Sequence, residues 1–426
     1  MQAETEVILR GGRVVCPVTG TDAVTDVVIR NGLVHAVGAA ELPADARVID
    51  CAGCVVSHGF TDLGAELGDP GQTWREDLST GSEAGAAGGY TTVVCSPRTD
   101  PVLDTPVAVA ELRNRAATVT GARIEVAGAL TVGLQGEVLS ELGLMAEAGV
   151  VAFSDGGKAM SNAALLRRAI DYARPFGLPV WIRPGNVDLE GSGVMHEGIV
   201  SSHIGLRGIP AAAEELGVAR GIAFARLTKT SIHLSHVTTK TSVEQIRRAR
   251  AEGLSVTAAA PARHLVLTDQ AVDDSVYDTA TRLLPPLRPE SDRRAVVEAV
   301  LDGTVGCVFA DHVPLTRLEK EVEYMFARPG AMGLETALSA ALTATQDVSA
   351  TVKAMAVAPA ALIGRRAAVE PGAAADLVVF DPGADRVVSG PFRSKGSNEP
   401  LVGLSLKGEI VLTMRDGCII YGPRTS

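Results

Sequence analysis

Two things are scarce in this 426-residue chain: histidine, with eight copies, and aromatic side chains, at 4%. No His-x-His pair occurs, so no strand offers two imidazoles to one ion. No apolar run approaches the roughly 18 residues that a membrane span needs. Clustered basic charge is missing as well. The net charge is −11, which argues against nucleic-acid or membrane-surface binding, since both want positive patches. Early acidic residues and no apolar h-region argue against a secretory signal, so a cytoplasmic protein is expected. Internal repeats and low-complexity linkers are absent.

What remains is an ordinary globular composition, 46% apolar and 21% charged, with 45 glycines suited to tight turns and Ala/Val-rich layers. The length allows one large barrel and a smaller domain. Cys16, Cys51, Cys54, Cys95, Cys307 and Cys418 are scattered. Cys51-Ala-Gly-Cys54 has the spacing of a zinc or redox pair, but no second Cys/His pair accompanies it, and it reads as two thiols in a turn. Cys95 and Cys307 sit in apolar strands and read as inert core residues.

The first 55 residues alternate as strands over 6–15, 26–30 and 33–37, with Asn31-Gly32 marking a hairpin. The last stretch does the same over 375–381 and 404–422. The middle alternates short apolar strands (59–67, 91–95, 123–127, 150–154, 179–183, 231–236, 255–258 and 306–310) with helices over 106–117, 163–173, 210–227, 242–251 and 292–301. This predicts an α/β protein: a (β/α)8 TIM-like barrel over 56–365, and a small β-sandwich domain built from 1–55 and 366–426. Chemistry in such a barrel sits at the C-terminal strand ends. Gly156-Gly157-Lys158 lacks the upstream glycine of a phosphate loop and reads as a turn.

Several segments then fall in a telling order: Val56–Gly71, Gly85–Pro97, Ala152–Gly156, His236–Ser242, Pro285-Pro286-Leu287-Arg288, Ala310-Asp311-His312 and the closing Glu370–Asp376. Together they resemble the dihydroorotases of the amidohydrolase superfamily. That resemblance implies opening or closing of a cyclic amide by a zinc-activated hydroxide, with a Lewis acid on the carbonyl. It also implies where the groups should stand. The His-x-His ligands fall on Gly64 and Glu66. The bridging Asp falls on Gly156, beside the non-ligand Asp155, and the fifth-strand His falls on Ile182. Only His236 and Asp311, the latter a vestigial general base, keep their type. Four of six metal positions are changed. The substrate-holding positions fall on Gly68, Arg98, Leu284 and Leu315, and the Pro-Phe-Gly loop has become Arg328-Pro329-Gly330.

No resident cofactor is therefore expected, although zinc serves the active relatives. Glu66, His236 and Asp311 form one residual three-donor set. His58 lies six residues before Gly64, roughly 20 Å along an extended strand and at the wrong end of the barrel. Lys158 follows the turn, which is not where a carbamylated bridging lysine would sit. An Arg at position 98 would repel a dication. The survivors also have plain structural readings. His236 and Asp311 would bond each other, and Asp155 would cap its turn. Arg98 and Arg183 would pair with Glu66, Asp155 or Asp311. His233 would belong to the core, and Asp62 would support the barrel.

This pattern resembles the inactive dihydroorotase-like subunits that accompany aspartate carbamoyltransferase. It leads to the expectation of a non-catalytic, homodimeric or larger scaffold in pyrimidine biosynthesis, holding the catalytic chain of that partner. Two other readings stay open: a cyclic-amide hydrolase with a reduced metal site and Asp311 as base, and a metabolite sensor using Arg98 and Arg183.

Overall fold

The computed structural model describes residues 6–38 and 46–423, and residues 1–5, 39–45 and 424–426 lie outside that description. The chain opens with β1 (Glu6–Cys16), β2 (Thr21–Arg30), β3 (Leu33–Val37), β4 (Arg47–Asp50) and β5 (Val55–His58). The β2–β3 turn places Asn31 and Gly32 at φ 51° and 79°, the left-handed pair that a two-residue hairpin requires. The barrel strands follow: β6 (Phe60–Ala65), β7 (Tyr90–Cys95), β8 (Arg123–Ala129), β9 (Ala152–Ser154) and β10 (Val180–Ile182). A two-stranded insertion, β11 (Met195–His196) with β12 (Gly208–Ile209), precedes β13 (Ile232–Leu234), β14 (Val256–Pro261) and β15 (Cys307–Phe309). The chain returns through β16 (Leu377–Val387), β17 (Ser405–Arg415) and β18 (Cys418–Tyr421).

The terminal strands form one mixed sheet in the order β18-β17-β16-β5-β1-β2-β3, with β4 on β1. Successive side chains of a strand face opposite ways, and β16 uses both faces. Leu377 and Val379 join the core of the terminal sheet, whereas Val378 and Phe380 pack into the barrel's outer core. The sheet is thereby fastened to the barrel by alternate residues of one strand.

The eight parallel barrel strands run β6-β7-β8-β9-β10-β13-β14-β15. Parallel strands covered on both faces are apolar throughout, and all six residues of β7 are buried. Inside the barrel, Ala127, Ala152 and Ala259 leave room for Trp181 and Phe309, so large side chains face small ones. The seam between the outermost strands is stitched by side chain and backbone. Asp62 Oδ1 accepts the Ala310 N–H at 2.6 Å and its Oδ2 accepts that of Gly64, while the Glu66 N–H donates to His312 O at 2.8 Å. Asp62 thus has the supporting part read from the sequence. Burial raises its pKa against those two hydrogen bonds.

His58 departs from expectation. The strand breaks at Gly59, so His58 ends β5 in the terminal sheet, opposite Leu377, and its Nδ1 bonds to Gly59 O. Only glycine fits at the break, since a Cβ at Gly59 would lie 2.1 Å from Thr91 Cγ2. Cys51 and Cys54 are free thiols in a turn, and burial pushes Cys51, Cys95 and Cys307 up to about 12, out of nucleophilic range. No helix among the described residues is long and apolar enough to cross a membrane.

Candidate active site

The C-terminal strand ends surround a cavity of about 400 Å³ floored by Leu63, Ala127, Trp181, Ala259 and Phe309. Glu66, Arg98, Gly156, Arg183, Ser235, His236, Leu284, Asp311 and Arg328 reach it from the loops.

On the β13–β15 side the groups interlock. His236 Nε2 lies 3.1 Å from Asp311 Oδ1, and its Nδ1 lies 2.9 Å from Ser235 Oγ. An ionised Asp311 can only accept, so the hydrogen belongs on Nε2 and leaves Nδ1 free to accept from the serine hydroxyl. Arg263 Nη1 donates to Asp311 Oδ2 at 3.0 Å, and its Nη2 meets the carbonyls of Ala310, Asp311, Ala331 and Met332. Burial alone would raise the Asp311 pKa, but His236 and Arg263 outweigh it and hold the carboxylate below its ordinary value. His236 and Asp311 also have φ of 58° and 49°. Non-glycine residues adopt this left-handed conformation at a cost, and such strain concentrates where function needs a fixed geometry. The His236 ring stands edge-on to Phe309 at 4.9 Å, which limits its rotation.

The β6–β10 side is different. Ile182 is apolar and buried, while Gly64 and Gly156 carry no side chain. A Cβ at Gly64 would meet open space, but one at Gly156 would fall 2.3 Å from Arg98 Cγ. The Arg98 stem therefore occupies the space of a side chain at 156, and its Nη1 bonds Glu66 Oε1 at 2.7 Å. A zinc pair does not fit this donor set. Three of the six corresponding positions have no donor atom, Glu66 is committed to a guanidinium, and the aliphatic stem of Arg98 takes the space of a side chain at 156. Among the described residues no group of three His, Cys, Asp or Glu is disposed around a common point for a metal, and this includes Glu66, His236 and Asp311.

Other sequence expectations need correction. Arg183 pairs with Glu190 at 2.8 Å instead of the acids at the strand ends, and the arginine on Asp311 is Arg263. Asp155 does not cap its own turn: its carboxylate takes the Thr131 N–H and hydroxyl at 3.0 and 2.8 Å, tying the ends of β8 and β9. A side chain at Gly68 would strike Glu76 O and Gln72 O at 2.5 and 2.7 Å, and Gly68 and Leu315 do not line the cavity. Lys158 is exposed and bonds Leu134 O. His233 is buried, bonds Thr257 Oγ1 at 2.9 Å and is pushed down to about 3 by burial and by His236. Arg263 and Glu190 escaped the sequence reading. Arg263 stands two residues beyond β14, and a charged residue directly after a barrel strand was the available signal.

Two buried donors at the cavity, Trp181 Nε1 and Arg183 Nε, have no hydrogen-bond partner in the structure. Both nitrogens are themselves closed off from solvent.

The Dihydro-orotase-like family model matches residues 53–242. The dihydroorotase of Anaeromyxobacter dehalogenans (strain 2CP-1) is 42% identical over 421 residues, covering 97% of both chains. The chain belongs to the dihydroorotase family. The dihydroorotase of Geobacter metallireducens is 38% identical over 97% of this chain and 99% of its own. Among solved structures, the L-hydantoinase (dihydropyrimidinase) of Arthrobacter aurescens superposes with a TM-score of 0.87 at 23% identity, covering 100% of this chain and 98% of its own. The dihydropyrimidinase of Brevibacillus agri NCHU1002 gives 0.84 at 21%, covering 98% and 95%. At such identities these two establish the fold.

These relatives overturn the expectation of a non-catalytic subunit. Full-length similarity near 40% to proteins named dihydroorotase favours an active member of the family. The structure adds Arg263 to the expected His236–Asp311 pair on the β13–β15 side.

Proposed function

We propose that this chain is a cyclic-amide hydrolase of the dihydroorotase type. The observation that carries the reading is the His236–Asp311 pair at the cavity, held by Arg263 and oriented as a proton-transfer unit, in a chain akin to dihydroorotases throughout its length. A cyclic amide carries carbonyl oxygens, and dihydroorotate adds a carboxylate. The guanidiniums of Arg98 and Arg328 at the rim supply complementary charge. Asp311 keeps the imidazole in the tautomer that accepts a proton at Nδ1 and stabilises the imidazolium that results. Ring opening adds water across the amide C–N bond: oxygen joins the carbonyl carbon and a proton reaches the departing nitrogen. No step is assigned to a metal, because the donor set does not fit a zinc pair.

The test is turnover of dihydroorotate and of its ring-opened product by the full chain. Measurable conversion, reduced at least about a hundredfold in His236→Gln, is expected from loss of a general base. Absence of conversion in both directions overturns the reading.

A further inference from the structure

On the basis of that reading, we propose that Ser235 is a covalent nucleophile, making Ser235–His236–Asp311 a serine hydrolase triad at the mouth of this barrel.

The geometry is continuous. Ser235 Oγ lies 2.9 Å from His236 Nδ1, and His236 Nε2 lies 3.1 Å from Asp311 Oδ1. This is a nucleophile within reach of a base that is itself oriented by a third group, the arrangement by which serine is activated. The two ring nitrogens have exchanged their usual partners, which leaves the proton path unaltered because either nitrogen can act as the base. Ser235 is half-buried and lines the cavity, so its hydroxyl is accessible to a ligand there. Its other contact, to Ile182 O at 3.4 Å, is long and weak. Position is secured on both sides: the Ser235 N–H bonds Ile182 O at 3.0 Å, and Arg263 clamps Asp311. The left-handed backbone at His236 turns the imidazole toward its neighbours.

The chemistry balances without a further reagent. Ser235 Oγ attacks the amide carbonyl carbon while its proton passes to His236 Nδ1. The tetrahedral adduct collapses, the C–N bond breaks, and the imidazolium returns that proton to the departing nitrogen. An ester joins Ser235 to the ring-opened acyl group. Water then attacks the ester carbon, giving one proton to His236 and on to Ser235 Oγ, and the free acid leaves. Such a route explains how a family member can keep cyclic-amide chemistry where the zinc positions lack donors.

The experiment is covalent labelling of the full chain with a fluorophosphonate, read by intact mass and peptide mapping. One adduct per chain is expected, located at Ser235, absent from Ser235→Ala and formed at least about a hundredfold more slowly in His236→Gln. No adduct, or an adduct elsewhere that persists in Ser235→Ala, overturns the proposal. Dihydroorotate turnover measured alongside separates this inference from the substrate reading. Turnover that persists in Ser235→Ala overturns the covalent step and leaves the hydrolase standing. Labelling at Ser235 without turnover upholds the nucleophile and overturns the substrate.

Discussion

The two halves of the barrel mouth have been treated differently. Around β6, β9 and β10 the side chains that the family uses are replaced by Gly64, Gly156 and Ile182, and the space at 156 is taken by an arginine stem. Around β13, β14 and β15 the side chains of Ser235, His236, Arg263 and Asp311 form one chain of hydrogen bonds, with two backbones held at strained angles. In the first half the barrel stands with three positions that offer no donor atom. In the second the polar side chains stay connected. They are coupled to each other and to a buried cation, so losing one leaves the others uncompensated.

That contrast is most easily broken at Arg263. Its guanidinium is buried against Asp311, and removing one member of such a pair strands the other charge. Arg263→Met is expected to cost about 3–5 kcal/mol. Chemical denaturation measures this, and a cost near that of a surface substitution would refute the coupling. Arg98→Met on the opposite half removes a partly exposed ion pair with Glu66. Its expected cost is about 1 kcal/mol or less.

A finer version of the comparison uses the two glycines. Gly156→Ala meets both the Arg98 stem and a φ of 60°, and is expected to destabilise by about 1–3 kcal/mol. Gly64→Ala enters open space and is expected to stay within about 0.5 kcal/mol. Equal effects would show that the arginine stem is not where we place it. Zinc added to chelator-dialysed protein is expected to leave the melting temperature unchanged, since an ion that binds the folded state would raise it.

The buried histidines give a pH signature. His233 and His264 are pushed down to about 3, and His196 to about 4, chiefly by burial. Unfolded, each titrates near 6.5, so below that pH the unfolded chain binds more protons. These residues therefore favour folding fully above pH 6.5 and progressively less as pH falls toward 4 and 3. Urea titrations across that window should show falling stability, and His264→Gln should flatten the slope. An unchanged slope in the variant would remove His264 from the account.

Much of the fold was readable because it rests on local rules. Alternation along β16, the Asn31-Gly32 turn and apolar strands interleaved with helices each follow from neighbours in the chain. That Gly64, Gly156 and Ile182 offer no donor atom was readable for the same reason, since each is one residue in a short motif. The Arg263–Asp311 and Arg183–Glu190 pairs were not, because they depend on which strand ends meet in space. Nor was the function: residue losses and the His236–Asp311 bond could be read from the sequence, whereas its extension to Ser235 and Arg263 depends on how β13, β14 and β15 meet at the rim.

The claim that this rim is a working site is tested most directly by dihydroorotate turnover in the full chain, with His236→Gln as its partner measurement. The account predicts measurable conversion that falls by about a hundredfold or more in the variant. Conversion absent from the unaltered chain, or unchanged by the substitution, would contradict it.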